Sequence, residues 1–293
     1  MWKLLQIELF KIFRKPRTYI AFAIIAGFIL LIQLGLFVNG KELMQFMMGS
    51  LEETMEIDYS KLINGYWVCF FILNLLLVHV PILVALVAGD IVSGEASMGT
   101  LRLLASRPVS RVQIILAKFF ASAVYVFALL VWIAFISLLV SLLVFGKNDL
   151  VVAKSEGLSL IESGDVLWRY FCAFGFAFIA MMVVAAISLL LSTLSENSIG
   201  PIVTTVGIII LCTLISEMEI PIYQKYIRPY LFSTYMLGWK GFFYINADAD
   251  NQTIKGSLEN LPSIIKSMGI LTGYIIALVT ASILIFRKKD ILS

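Results

Sequence analysis

Apolar residues fall into six long runs along this chain, parted by short polar stretches. The runs lie at about residues 18–38, 66–89, 112–145, 167–194, 199–215 and 262–286. A helix needs roughly 20 apolar residues to cross a bilayer, so each run predicts a membrane span. The third run is longer than a bilayer requires, and its helix should tilt or extend into the cytoplasm. The fifth is the shortest, with Pro201 in its first turn, where proline is tolerated. The connection 195–198 is very short, so the fourth and fifth spans should form a tight helical hairpin.

The stretches between the runs carry patterns of their own. Residues 2–17 read as a basic amphipathic helix, with Trp2, Leu5, Leu9, Ile12 and Phe13 on one side. Lys3, Glu8, Lys11, Arg14 and Lys15 fall on the other. Such a helix lies in the membrane interface with its apolar face in the headgroup boundary. Pro16 marks the bend into the first span. The loop 39–64 holds five acids and two lysines, and its middle, LMQFMMGSLEETM, predicts a short surface helix. Residues 147–165 read as a second polar loop. In 217–264 the stretch YIRPYLFSTYMLGWKGFFYI is too aromatic for an ordinary loop and too broken for a span. Trp239, Phe242, Phe243 and Tyr244 fit the membrane–water boundary. They predict one or two short re-entrant helices in the outer leaflet before the sixth span. The fold expected is an all-α membrane protein, one transmembrane domain over residues 1–293.

Composition and charge sharpen this picture. Of 293 residues, 60% are hydrophobic and 14% charged, against about 25% charged in soluble domains; the mean hydropathy is +0.97. The net charge of +3 gathers at helix ends and forms no continuous basic stripe, which speaks against nucleic acid. Lys3, Lys11, Arg14, Lys15 and Arg17 precede the first span. Arg102, Arg107, Arg111 and Lys118 lie between the second span and the third, and Arg287, Lys288 and Lys289 follow the sixth. With six spans these three clusters share one side, and the positive-inside rule makes that side, with both termini, cytoplasmic. The first run lacks a small-residue cleavage site, so no cleavable signal peptide is expected. Cys69, Cys172 and Cys212 all sit inside apolar runs and read as small core hydrophobes.

Catalytic patterns are missing. The lone histidine, His79, excludes an H-E-x-x-H metal motif, and no G-x-x-x-x-G-K-[ST] phosphate loop occurs. No cofactor or metal is expected on this chain, and no enzymatic role. The larger polar groups within the spans are Gln33, Asn74 and His79, candidates for lining a path, because polar groups at membrane depth face the bundle interior; for His79 the first reading is a hydrogen-bonded helix-packing role, with a cavity contact as the alternative.

The segment 90–118 departs from an ordinary loop. Met98, Leu101, Leu104 and Ala105 recur at helical spacing, predicting a short helix over 97–106 with an apolar face open to a partner. Asp90 and Glu95 lie close to Arg102 and Arg107, and two readings stand: local charge pairing that caps the short helix, or a hinge in which Gly89, Gly94 and Gly99 permit a bend and the acids pin it. GEASMGTLRLLASRPVSRVQIILAK resembles the cytoplasmic coupling segment of ABC-2 type transporter permeases. The residues that carry the resemblance are Gly94-Glu95, Gly99-Thr100-Leu101 and Arg107-Pro108-Val109-Ser110-Arg111. The plan of an interface helix, six spans and a broken aromatic segment before the last is similar as well.

The resemblance implies a permease subunit in the bacterial cytoplasmic membrane that pairs with a second copy or homologue. It implies two separate ATP-binding cassette subunits that hold ATP and magnesium. Gly94, Glu95, Met98, Gly99, Thr100, Leu101, Arg102, Leu104, Arg107 and Pro108 would then form the ATPase-coupling element. The first, second and fifth spans would line the dimer interface and path. The implied cargo is a lipid, peptide, antibiotic or similar molecule moved outward. An alternative is a non-transporting scaffold that passes ATPase motion to an extracytoplasmic partner.

Overall fold

The computed structural model describes residues 1–48, 62–101, 109–154, 157–218, 220–246 and 253–289. Six of its helices are long and apolar enough to cross a membrane. The N-terminal helix α1 (Trp2–Arg14) ends one residue short of a proline, because Lys15 is extended (φ −80°, ψ 129°) as the residue before proline prefers. Helix α2 (Pro16–Met48) follows. Its buried positions Ala21, Ile25, Ile29, Gln33 and Leu36 recur every three to four residues. Ile20, Ile24, Leu31, Leu34 and Phe37 face outward. An exposed apolar face of this length belongs in lipid.

Helix α2 runs past its expected end at 38, through a distortion at Asn39 (φ −120°, ψ 19°). The acidic half of the loop 39–64 lies outside the described residues. Helix α3 (Gly65–Ala88) starts at Asn64, whose side-chain oxygen accepts from the Tyr66 and Trp67 amides at 3.0 and 3.1 Å, a favoured N-cap. The one-turn helix α4 (Ser93–Ser97) comes next.

Helix α5 (Arg111–Phe145) opens with a capping box between Ser110 and Gln113. Its stretch Phe135–Val140 is π-helical. A π-turn loosens the ordinary backbone ladder, and Gln33 uses it, donating to the Ile136 carbonyl (3.0 Å) and the Ser141 hydroxyl (2.9 Å). Residues 147–165, expected as a loop, contain an antiparallel hairpin, β1 (Leu150–Lys154) and β2 (Gly157–Ile161), with Leu150 opposite Ile161. The fold is therefore helical with one small hairpin.

Helix α6 (Ser163–Leu194) is the central post. Its apolar window is 61% buried, against 22% for the two helices that follow it across the membrane. It packs against α3, α5, the fifth span α7 (Ile199–Glu217) and the sixth. After α7 come α8 (Pro221–Tyr226), a 3₁₀ turn (Arg228–Tyr230), α9 (Phe232–Met236) and a second 3₁₀ segment (Leu237–Phe243). Helix α10 (Leu261–Lys288) closes the chain, with proline near its start, where proline suits a helix. The expected short helices exist, but Trp239, Phe242 and Phe243 do not face a membrane boundary. They are buried in the core, where Phe243 meets Phe70 and Tyr170 with centroids 5.2 and 4.8 Å apart. Arg169 of α6 has no exposure, yet it donates to the Phe242 carbonyl (2.8 Å), the Ser257 carbonyl (2.9 Å) and the Asp165 carboxylate.

Candidate functional site

The chain leaving α3 turns over the C-terminal end of α6. The Ser192 hydroxyl oxygen accepts from the Val92 and Ser93 amides at 3.1 and 2.9 Å. Ser93 donates back to the Gly89 carbonyl at 2.9 Å, and Ser198, at the start of α7, donates to Asp90. One turn is thus fixed to three helices by short polar side chains.

Charge fixes it to three more. Asp90 holds Lys15 at 2.8 Å and also Arg17, from the start of α2. Glu95 holds Lys11 of α1 at 2.6 Å and Lys118 of α5 at 2.8 Å. Glu8 of α1 holds the same two ammonium groups, each at 2.9 Å. Lys118 is 0% exposed and also donates to the Ile91 carbonyl at 2.8 Å. Arg111 donates to the Phe286, Arg287 and Lys289 carbonyls at 3.2, 3.0 and 2.6 Å, and Lys289 donates to the Thr193 carbonyl at 3.1 Å. A cation suits the C-terminal end of a helix, where backbone carbonyls lack partners, so Arg111 closes α10. All six spans and α1 meet around residues 89–118.

Four cations (Lys11, Lys15, Arg17, Lys118) face three carboxylates (Glu8, Asp90, Glu95), leaving one positive charge in excess. The surplus shows at Lys15. Burial, and after it the neighbouring Arg17 charge, push its ammonium down to about 8. At Lys11 burial pulls the same way, but the hydrogen bonds to Glu95 and Glu8 outweigh it and hold the group above its ordinary value.

Several expectations need correction. Asp90 and Glu95 pair with α1, α2 and α5, and they are buried. Arg102, Leu104, Arg107 and Pro108 lie outside the described residues, so the expected pairing with Arg102 and Arg107 falls there too. Glu8 sits on the buried face of α1 with Ile12, while Leu5, Leu9 and Phe13 pack on the core and Trp2 is exposed. Ile7 and Phe10 of α1 are exposed as well. Gly94 is no hinge. A Cβ there would lie 2.4 Å from the Asp90 carboxylate, so the site needs a residue without one. Gly99 does bend the chain, at φ +72°. That break separates α4 from the helical residues Thr100 and Leu101, so no continuous helix begins at Ser97. Met98 is 62% exposed and Leu101 only 3%, so they do not share one open face. Among the polar candidates, Asn74 borders a cavity and donates to the Phe70 carbonyl at 2.8 Å. Gln33 is buried in the α2–α5 contact. His79 is exposed on the outer face of α3, its ring against Phe28 at 4.6 Å and its Nδ1 2.8 Å from the Leu75 carbonyl.

Sequence reasoning missed Lys118, Glu8, Arg111 and Ser192 as members of this junction. The signal was a lysine eight residues into an apolar helix, a position that demands a partner. The partner is 110 residues away in sequence, beyond any local pattern.

A comparison with curated proteins returns no match. The sequence profile of a family described as "Protein of unknown function (DUF2705)" matches residues 28–292, nearly the whole chain. From α2 to its last residues, then, this six-span chain belongs to the DUF2705 family.

Proposed function

We propose that the chain is the permease subunit of an ATP-binding cassette exporter in the bacterial cytoplasmic membrane, with both termini and the junction on the cytoplasmic side. It pairs with a second permease copy or homologue and with two separate ATPase subunits that bind ATP and magnesium. It carries a substrate outward and is not itself catalytic. The observation that supports this reading is the buried ion junction beside the segment that resembles a coupling element. A push from a soluble partner on residues 98–101 would meet a lever already joined to every span. A loop that only connects two spans has no use for seven buried or half-buried charges.

Within this reading Glu95 and Gly94 build the lever, and Met98 belongs to the surface that is pushed. The test is co-purification of the chain from its own membrane with an ATP-hydrolysing partner, in the parent and in Met98→Asp. Met98 is exposed, so its replacement leaves the fold alone. Loss of the partner with unchanged melting is expected. Leu101→Asp is a poorer probe, since a charge at a buried position disturbs packing as well. An intact Met98→Asp complex would refute docking at this turn. A chain that brings no ATPase at all would refute the exporter reading.

A further inference from the structure

A cavity of about 360 Å³ opens between α3, α6, α7 and the second 3₁₀ segment. That lies within the range of small-ligand sites, about 300–1,000 Å³. Its walls are apolar, including Leu76, Pro81, Ala177 and Met181. Most of its polar groups are already satisfied by the protein. Ser216 and Ser233 lie 3.0 Å apart and both donate to the Cys212 carbonyl, at 2.8 and 2.9 Å.

Two donors are not satisfied. Trp239 lines the cavity, is 4% exposed, and its indole N–H has no partner. A buried indole N–H normally finds one. Its neighbour Lys240 also lines the cavity, is half-buried, and forms no hydrogen bond or ion pair among the described residues. Burial holds the Lys240 ammonium below its ordinary value, with the Glu217 charge opposing. Glu217 stands exposed on the same rim without closing an ion pair to it. Lys240 thus sets an unpaired cation at one edge of an apolar slot, while the indole N–H of Trp239 lies beneath the wall with almost no accessible surface.

We infer that this cavity binds a single-chain amphiphile with an anionic head, the carboxylate or phosphate on Lys240 and the acyl chain along the slot beside the Trp239 ring. Carboxylate and phosphate heads share this chemistry. The inference does not rest on the exporter reading, because binding is read on the chain alone.

The test uses the purified full chain in a neutral detergent with brominated stearate, which quenches nearby indoles. A saturable loss of tryptophan fluorescence is expected, most of it lost in Trp239→Phe, which keeps the other four of the five tryptophans. Lys240→Met should weaken binding about tenfold, as for removal of a charged hydrogen-bond partner. Glu217→Gln should tighten it about twofold by removing a repelling charge. Ala177→Phe, which fills the slot, should abolish the saturable phase, and it serves as the second test if Lys240→Met fails to fold. Brominated lysophosphatidate run beside stearate tells phosphate from carboxylate preference. Equal affinity for brominated stearyl alcohol, quenching that never saturates, or a saturable phase that survives Ala177→Phe would each overturn the assignment. Weaker binding in Glu217→Gln would also do so, since it would mean a head that carries a positive charge.

Discussion

Replacing Lys118 with methionine removes a buried ammonium that holds two carboxylates and one carbonyl. The lost contacts are Glu8 at 2.9 Å, Glu95 at 2.8 Å and the Ile91 carbonyl at 2.8 Å. Only Lys11 then remains to neutralise the two glutamates. Breaking one side of a buried pair costs about 3–5 kcal/mol, because the partner stays buried and uncompensated. The protein has an escape, which is to protonate one glutamate. From an ordinary value of about 4.3, that costs roughly 3.7 kcal/mol at pH 7, at 1.36 kcal/mol per unit. The expected loss is therefore about 3 kcal/mol at pH 7. It shrinks as pH falls, because protonation becomes cheaper by about 1.4 kcal/mol per unit. The assay is thermal unfolding in detergent for the parent, Lys118→Met and Lys118→Met/Glu8→Gln, from pH 5.5 to 7.5. The single variant should melt several degrees lower at pH 7 and approach the parent at pH 5.5. Glu8→Gln should restore part of the loss at pH 7 and remove most of the pH dependence. A Lys118→Met protein that melts with the parent at every pH would mean that the junction carries no stability.

Other outcomes follow from the same geometry. Gly94→Ala forces a methyl to 2.4 Å from the Asp90 carboxylate and should destabilise by about 1–3 kcal/mol, the range for overpacking, read in the same melts. At Lys15 the folded value of about 8 lies below the unfolded 10.5, so the protonated form is penalised. Stability should rise between pH 8 and 10.5 and go flat in Lys15→Met. Arg111→Gln should free the end of α10, read as faster trypsin cleavage at Arg287 and Lys288; unchanged cleavage would contradict its role as a clasp. Arg169→Met leaves the Phe242 and Ser257 carbonyls without their donor and should cost about 1–3 kcal/mol, while His79→Phe should leave melting within about 0.5 kcal/mol, as for a surface change.

The spans were legible because apolar length is a one-dimensional signal. The break at Pro16 was legible because proline restricts its neighbour. The junction was not, since Glu8 looks like one more polar residue on a helical wheel until Lys118 is brought to it. Aromatic residues misled for a related reason. Trp239 and Phe243 have the composition of a boundary belt, but a belt and a core use the same side chains, and only the packing partners Phe70 and Tyr170 decide. The hairpin was hidden in plain alternation. Leu150, Val152 and Ile161 are buried while Leu160 points out, a period of two in a stretch whose polarity read as loop.

The 110 residues that part Glu8 from Lys118 also set an order of events during biosynthesis. At 5–20 residues per second, synthesis leaves α1 without its buried ammonium for roughly 5–20 s. The α2–α3 hairpin must therefore choose its direction in the membrane before α1 can dock. If α5 entered inverted, Lys118 would emerge on the far side, and Glu8 and Glu95 would have only Lys11 between them. The ion cluster is thus complete only once the third span stands in the orientation that brings Lys118 to Glu8 and Glu95.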